Sequence, residues 1–161
     1  ISWMQEGDTI SVIYDQGKAV KKINGITQVG SENSALSTFL AGYYVTFQPA
    51  KLMDNPDQLF YAGVDSMWDG TKVKVVQSLD SAENSDEWWY YFDKDSYLLK
   101  ANMVKHDLRY SFIENLSYDS TLGVTFNAHR KSYFVDSLRN KKYLRAEYYY
   151  SDYKAKYKDV Y

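Results

Sequence analysis

Leu98-Leu-Lys-Ala-Asn-Met-Val-Lys-His-Asp107-Leu-Arg-Tyr-Ser-Phe-Ile-Glu-Asn-Leu-Ser-Tyr118 reads as two strands folded about one polar turn. Leu98–Lys105 and Arg109–Tyr118 are the strands, and His106-Asp107 is the turn. A connection this short joins antiparallel neighbours; a parallel pair needs a crossover of a dozen residues or more. Alternation places Tyr110, Phe112 and Leu116 on one face of the second strand.

Outward from this hairpin the same grammar repeats. Leu59–Met67, Lys72–Leu79 and Glu87–Phe92 precede it as strands, and Val124–Asp136 and Tyr143–Tyr153 follow it. Between them lie the turns Trp68-Asp-Gly70, Asp80–Asp86, Asp93-Lys-Asp95, Asp119–Gly123 and Ser137–Asn140. Short connections in sequence order give an antiparallel meander. Long twisted sheets curl into a barrel or part of one.

The first third differs. Residues 2–23 read as two strands joined at Asp15-Gln-Gly-Lys18, where Gly17 supplies the positive φ of a tight hairpin. Asn24-Gly25 is a second turn signal. The period then changes: Leu36, Phe39, Leu40, Tyr43, Tyr44 and Phe47 form one stripe of an amphipathic helix. Ser31 or Ser34 is the expected N-cap, Gly42 weakens the helix, and Pro49 stops it near Gln48. Lys51–Gln58 follows as a loop. The expected fold is therefore α+β: residues 1–161 as one domain, a curved antiparallel sheet (a half-barrel) with one main helix on its concave face.

Composition adds bounds. Tyrosine accounts for 17 of 161 residues, densest in Tyr143-Leu-Arg-Ala-Glu-Tyr148-Tyr149-Tyr150-Ser-Asp-Tyr153. Its apolar body and wet tip suit a half-buried face or a groove wall. With no cysteine, disulfides, thiolate metal sites and cysteine nucleophiles are excluded. No apolar run reaches the length of a transmembrane span. The chain opens on Ile1 rather than Met, which reads as a processed product. Residues 1–99 carry seven Lys and Arg against fourteen Asp and Glu, and residues 100–161 carry twelve against seven. That asymmetry fits two mutually attracting halves or an anionic partner of the second half. Nucleic acid is disfavoured, because no basic stripe or binding motif is present.

Candidate chemistry is sparse. His106 sits in a turn and His129 on a polar strand position, a weak zinc set without spaced carboxylates. No G-x-S-x-G or phosphate-cradling loop occurs. The acidic turns Asp54/Asp57, Asp80/Glu83/Asp86 and Asp93/Asp95 read as turn chemistry rather than calcium loops. Asn115-Leu-Ser117 matches a glycosylation sequon but falls within a strand. Arg130, Arg145 and Glu147 read as a cross-strand ion-pair cluster or as a polar anchor in a ligand groove. The expectation is a non-enzyme with no catalytic residue, metal or cofactor. Its candidate site is an apolar groove bounded by Phe39, Tyr43 and Phe47 of the helix and by Tyr110, Phe112, Leu116 and Phe126 of the sheet.

The order hairpin, helix, Pro-containing loop, meander resembles the LolA/LolB-like lipoprotein-carrier superfamily of Gram-negative envelopes. Trp3-Met-Gln-Glu-Gly-Asp-Thr-Ile10, Phe39–Leu52 and Trp88-Trp-Tyr-Tyr-Phe-Asp-Lys-Asp95 with Tyr97-Leu-Leu99 carry the resemblance. Asn127-Ala-His-Arg-Lys-Ser-Tyr133 through Leu144-Arg-Ala-Glu-Tyr148 is similar to an uncharacterised secreted or lipoprotein family with a related pattern. The resemblance implies a half-barrel that binds or carries a lipid or lipoprotein acyl chain in the periplasm or at the outer membrane. It also implies further N-terminal elements before the point where this chain begins. A structural or protein-interaction domain, using the aromatic sheet face or an open edge, is the alternative.

Overall fold

The computed structural model describes residues 1–78 and 86–154. The expected turn Asp80–Asp86, with Asp80 and Glu83 of its acidic set, and Leu79 lie outside the described residues, Asp86 excepted. The fold is α+β: one α-helix and two antiparallel sheets among the described residues. Contacts divide the chain into two compact units, Ile1–Gln48 and Pro49–Tyr161.

The first unit is a four-stranded meander, β1 (Ser2–Gln5), β2 (Asp8–Asp15), β3 (Lys18–Ile23) and β4 (Ile26–Thr27), followed by α1 (Glu32–Thr46). Its two-residue turns Glu6-Gly7, Gln16-Gly17 and Asn24-Gly25 all hold both central residues at positive φ, the hairpin geometry that matches strand twist. The sequence reading of two strands over residues 2–23 missed Glu6-Gly7, because Glu is an uncommon residue at positive φ. The core pairs small residues with large ones: Ala35 of α1 sits against Val12 and Ala19, flanked by Trp3, Leu36 and Phe39. Leu40, expected on the buried stripe, is 51% exposed. The packed face is therefore centred on Ala35, whose missing bulk lets the helix approach the strands. Ser31 holds the N-cap position, yet its hydroxyl donates to the Gln28 carbonyl at 2.7 Å instead of capping the helix. Phe47 closes the helix, its N–H reaching the Tyr43 carbonyl.

The second unit starts with two short 3-10 turns, Ala50–Asp54 and Pro56–Gln58, where the sequence indicated only a loop. Seven strands follow: β5 (Leu59–Ser66), β6 (Lys72–Ser78), β7 (Glu87–Asp93), β8 (Leu99–His106), β9 (Arg109–Asp119), β10 (Phe126–Val135) and β11 (Lys141–Tyr149). They pair in chain order into one open sheet with β5 and β11 at its edges. β11 ends at Tyr149, short of the expected Tyr153: the Tyr150 N–H still reaches the Ala128 carbonyl of β10, and the chain then departs at Asp152, which takes a positive φ.

This sheet is strongly coiled. The β5–β6 turn and the β10–β11 turn leave opposite ends of the strands and are five strand spacings apart, roughly 24 Å across a flat sheet. Yet Trp68 of the first turn donates its indole N–H to the Arg139 carbonyl of the second at 3.1 Å. Arg139 in turn meets Asp65 at 2.8 Å and covers the Tyr91 ring. Only a sheet curled toward that face brings diagonal corners together. Its concave side is filled by Met67, Val73, Val75, Tyr91, Ala101, Met103, Phe112 and Val135, with Trp89, Tyr110 and Tyr133 beside them. Trp68 lies against Phe112 at 4.5 Å and edge-on to Tyr133 at 5.9 Å.

The opposite face has two parts. Leu52 of the first 3-10 turn packs on Tyr90 and Leu99, with Leu59, Val76, Trp88 and Phe92 around them. Beyond this apolar part lies a buried polar one, with Asn102, Asn115, Arg130 and Ser132.

Candidate functional site

The candidate site is a half-open cleft of about 610 Å³ at one end of the large sheet. It is lined by Leu108, Arg109 and Tyr110 at the β8–β9 turn and by Phe134 to Ser137 leaving β10. Lys142 and Tyr143 of β11 complete the wall. The ladder explains this grouping. Phe134 pairs with Tyr143 and Val135 with Lys141, so Lys142 is the extra residue of a bulge. A second register shift, between Ser132 and Tyr133, leaves Arg145 unpaired in the ladder. Bulges re-aim side chains, and here two cations fall beside one aromatic pair. Phe134 and Tyr143 lie 5.0 Å apart, and the Arg145 guanidinium stands 5.5 Å from the centre of the Phe134 ring.

The nearby acid is already engaged. Asp136 accepts hydrogen bonds from the Leu138 and Asn140 backbone N–H groups and from the Asn140 amide, each at 2.9 Å. The Asn140 bonds, side chain first, hold its carboxyl below the usual range. Asp136 thus stays ionised, but its lone pairs face the turn. The cleft presents an aromatic and aliphatic wall with Arg109 and Lys142 on it. Such a surface accepts an apolar body carrying an anionic group, and its volume is in the usual range for ligand sites.

The expected groove residues fall in both units. Phe39, Tyr43 and Phe47 form a ladder along α1, with ring centroids 6.0 and 4.7 Å apart, and Phe39 stacks on Tyr14 at 4.3 Å. Tyr110 and Phe112 join the concave cluster, and Tyr110 also reaches the cleft. Leu116 leaves that face: Arg130 pairs with Asn115 and His129 with Ser117, so Leu116 is skipped and stands 43% exposed. Phe126 stacks on Tyr153 at 4.7 Å. Sequence reasoning missed Leu108, Arg109, Phe134, Lys142 and Tyr143. Phe134 and Tyr143 were visible as strand aromatics, but nothing local announced the bulge that gathers them.

The Arg130, Arg145 and Glu147 cluster is not formed. In the ladder Glu147 faces Lys131, whereas Arg130 faces Tyr148, so Arg130 points to the other side of the sheet. There it is fully buried and donates to Asn102 at 2.5 Å, and burial lowers its pKa. Glu147 instead accepts from His129 at 2.6 Å and from the Tyr149 hydroxyl at 2.9 Å, with Lys131 at 3.5 Å. His129, and above all its hydrogen bond, holds the Glu147 carboxyl low. Both histidines find carboxylates distant in sequence, since His106 meets Asp86, just ahead of β7, at 2.5 Å. Asp93 binds the Ser96 N–H and hydroxyl at 2.7 and 2.8 Å, ordinary turn chemistry. The sequon residue Asn115 is buried, its amide on the Leu99 carbonyl.

No helix among the described residues is long and apolar enough to cross a membrane. Set against family models, curated proteins and solved structures, the chain matches none.

Proposed function

We propose that the protein is a non-enzymatic binding module for an amphiphile, a lipid or lipoprotein acyl chain with an anionic group, acting by burial rather than by reaction. The cleft at the β8–β9 and β10–β11 turns carries this reading. It joins an aromatic wall, Tyr110, Phe134 and Tyr143, to two cations, Arg109 and Lys142, at a volume that suits one chain segment. The resemblance to envelope lipoprotein carriers points to the same ligand class and to a periplasmic or outer-membrane-associated setting. Relative to the groove expected between helix and sheet, the reading moves to this cleft.

A fluorescent fatty acid titrated into the folded protein tests it. Binding should be saturable, weaken at least tenfold in Lys142→Glu and Tyr143→Ala, and persist in Tyr14→Ala, whose side chain lies in the other unit. Absent binding, or binding indifferent to both cleft substitutions, overturns the reading.

A further inference from the structure

Lys141 sits in a corner of aromatic rings. Its ammonium lies 3.8 Å from the centre of the Trp68 ring and 4.1 Å from that of Tyr133. The two ring planes are 85° apart and their centres 5.9 Å. Those three lengths make a near-right angle at the nitrogen, so one cation occupies the corner between two perpendicular aromatic faces. Glu114 sets a carboxylate 3.6 Å away. β9, β10 and β11 supply Glu114, Tyr133 and Lys141, and the curl of the sheet delivers Trp68 from the β5–β6 turn. Arg139, the other cation beside Trp68, is held by Asp65.

What the corner withholds is as informative. The Glu114 contact is too long for a hydrogen bond, and the Lys141 ammonium makes only these three contacts among the described residues. A lysine ammonium has three donors and is strongly hydrated; here it sheds part of its water and gains no hydrogen bond. A trimethylammonium group has no donors to satisfy, and ring faces are the surroundings that hold it. We propose that Trp68, Tyr133 and Glu114 form a binding site for a quaternary ammonium group, free or as a choline head group, which Lys141 fills until the guest displaces it.

The geometry makes displacement easy. Lys141 begins β11, which has no neighbour on its outer side among the described residues, so its side chain can swing outward with the backbone in place. Trp68 is 41% exposed and the Lys141 side chain 40%, so the corner opens to solvent, where a cation–ring contact is a weak hold. The site shares no lining residue with the cleft and stands independently of the amphiphile reading. Its charge is also opposite: the cleft offers Arg109 and Lys142, whereas the corner without Lys141 offers Glu114.

Saturation-transfer NMR on the choline methyl protons, with the full chain, tests the site. Choline should bind saturably, and dimethylbutanol, its uncharged carbon isostere, should not. Lys141→Ala vacates the corner and should bind choline about tenfold more tightly; Trp68→Leu should lose it. Monomeric dihexanoyl phosphatidylcholine separates the sources: tighter binding than choline that Trp68→Leu abolishes assigns the group to a lipid head, and any other result to a free solute. Choline that fails to bind Lys141→Ala, binds it no more tightly than the native chain, or is matched by dimethylbutanol overturns the proposal. If Trp68→Leu fails to fold, Lys141→Ala decides alone, because damage to the fold does not tighten binding.

Discussion

Phe112 shows how much one side chain can carry. It is buried under Trp68 and touches Tyr91, at the centre of the concave cluster. Phe112→Ala should cost ~3–5 kcal/mol in urea unfolding, whereas Leu108→Ala, at an exposed turn, should stay within about 0.5 kcal/mol. Asn102 matters for another reason: its carbonyl oxygen accepts from the buried Arg130. Asn102→Leu removes a hydrogen bond to a charged group and should cost about 2 kcal/mol by the same assay. Glu147 gives a pH signature. Its folded pKa is depressed by the hydrogen bond from His129 and then that from Tyr149. Its contribution to stability is therefore complete above the ordinary carboxyl value and is lost as pH falls through the lowered folded value. Carboxyl-detected NMR should place Glu147 below an ordinary glutamate, and His129→Leu should return it upward. Tyr91, by contrast, is pushed up to about 12 by burial, with Arg139 partly opposing that rise, so it stays a neutral phenol at any physiological pH.

At the scale of elements, α1 depends on a small residue. Ala35 is fully buried against Val12 and Ala19, so Ala35→Leu overpacks the contact and should cost about 1–3 kcal/mol. Leu40→Ala, on the exposed side, should be nearly silent in the same thermal melt. The strands of the large sheet were legible because turn residues punctuate them: Lys72, Glu87 and Arg109 begin strands where the pattern places them. The helix was legible by its period, though the stripe of large residues concealed that Ala35 is the contact. The bulges were not legible. Ala62, Leu116, Lys142 and Arg145 look like ordinary strand residues, and only the neighbouring ladder makes them extra. The cleft depends on one of these slips, which is why most of its lining escaped the reading of alternation.

For the molecule as a whole, the pattern of short turns gave the meander, but not its division into a small helix-bearing unit and a seven-stranded one. Nor does local sequence announce that Trp68 and Arg139 meet, because the curl is a property of seven strands together. That contact has a kinetic consequence. Its partners are 71 residues apart, while every ladder in the sheet joins strands adjacent in the chain. Hairpins close quickly and locally; a diagonal clasp must wait until the sheet between its ends exists. Its stabilising energy is thus absent from the transition state, and a substitution there acts on escape from the native state. Arg139→Ala in stopped-flow chevrons should raise the unfolding rate several-fold while leaving the refolding limb almost unmoved. A slowed refolding limb would instead mean that the sheet curls first. The clasp works as a latch: it adds little to how fast this protein reaches its shape and much to how long the shape lasts.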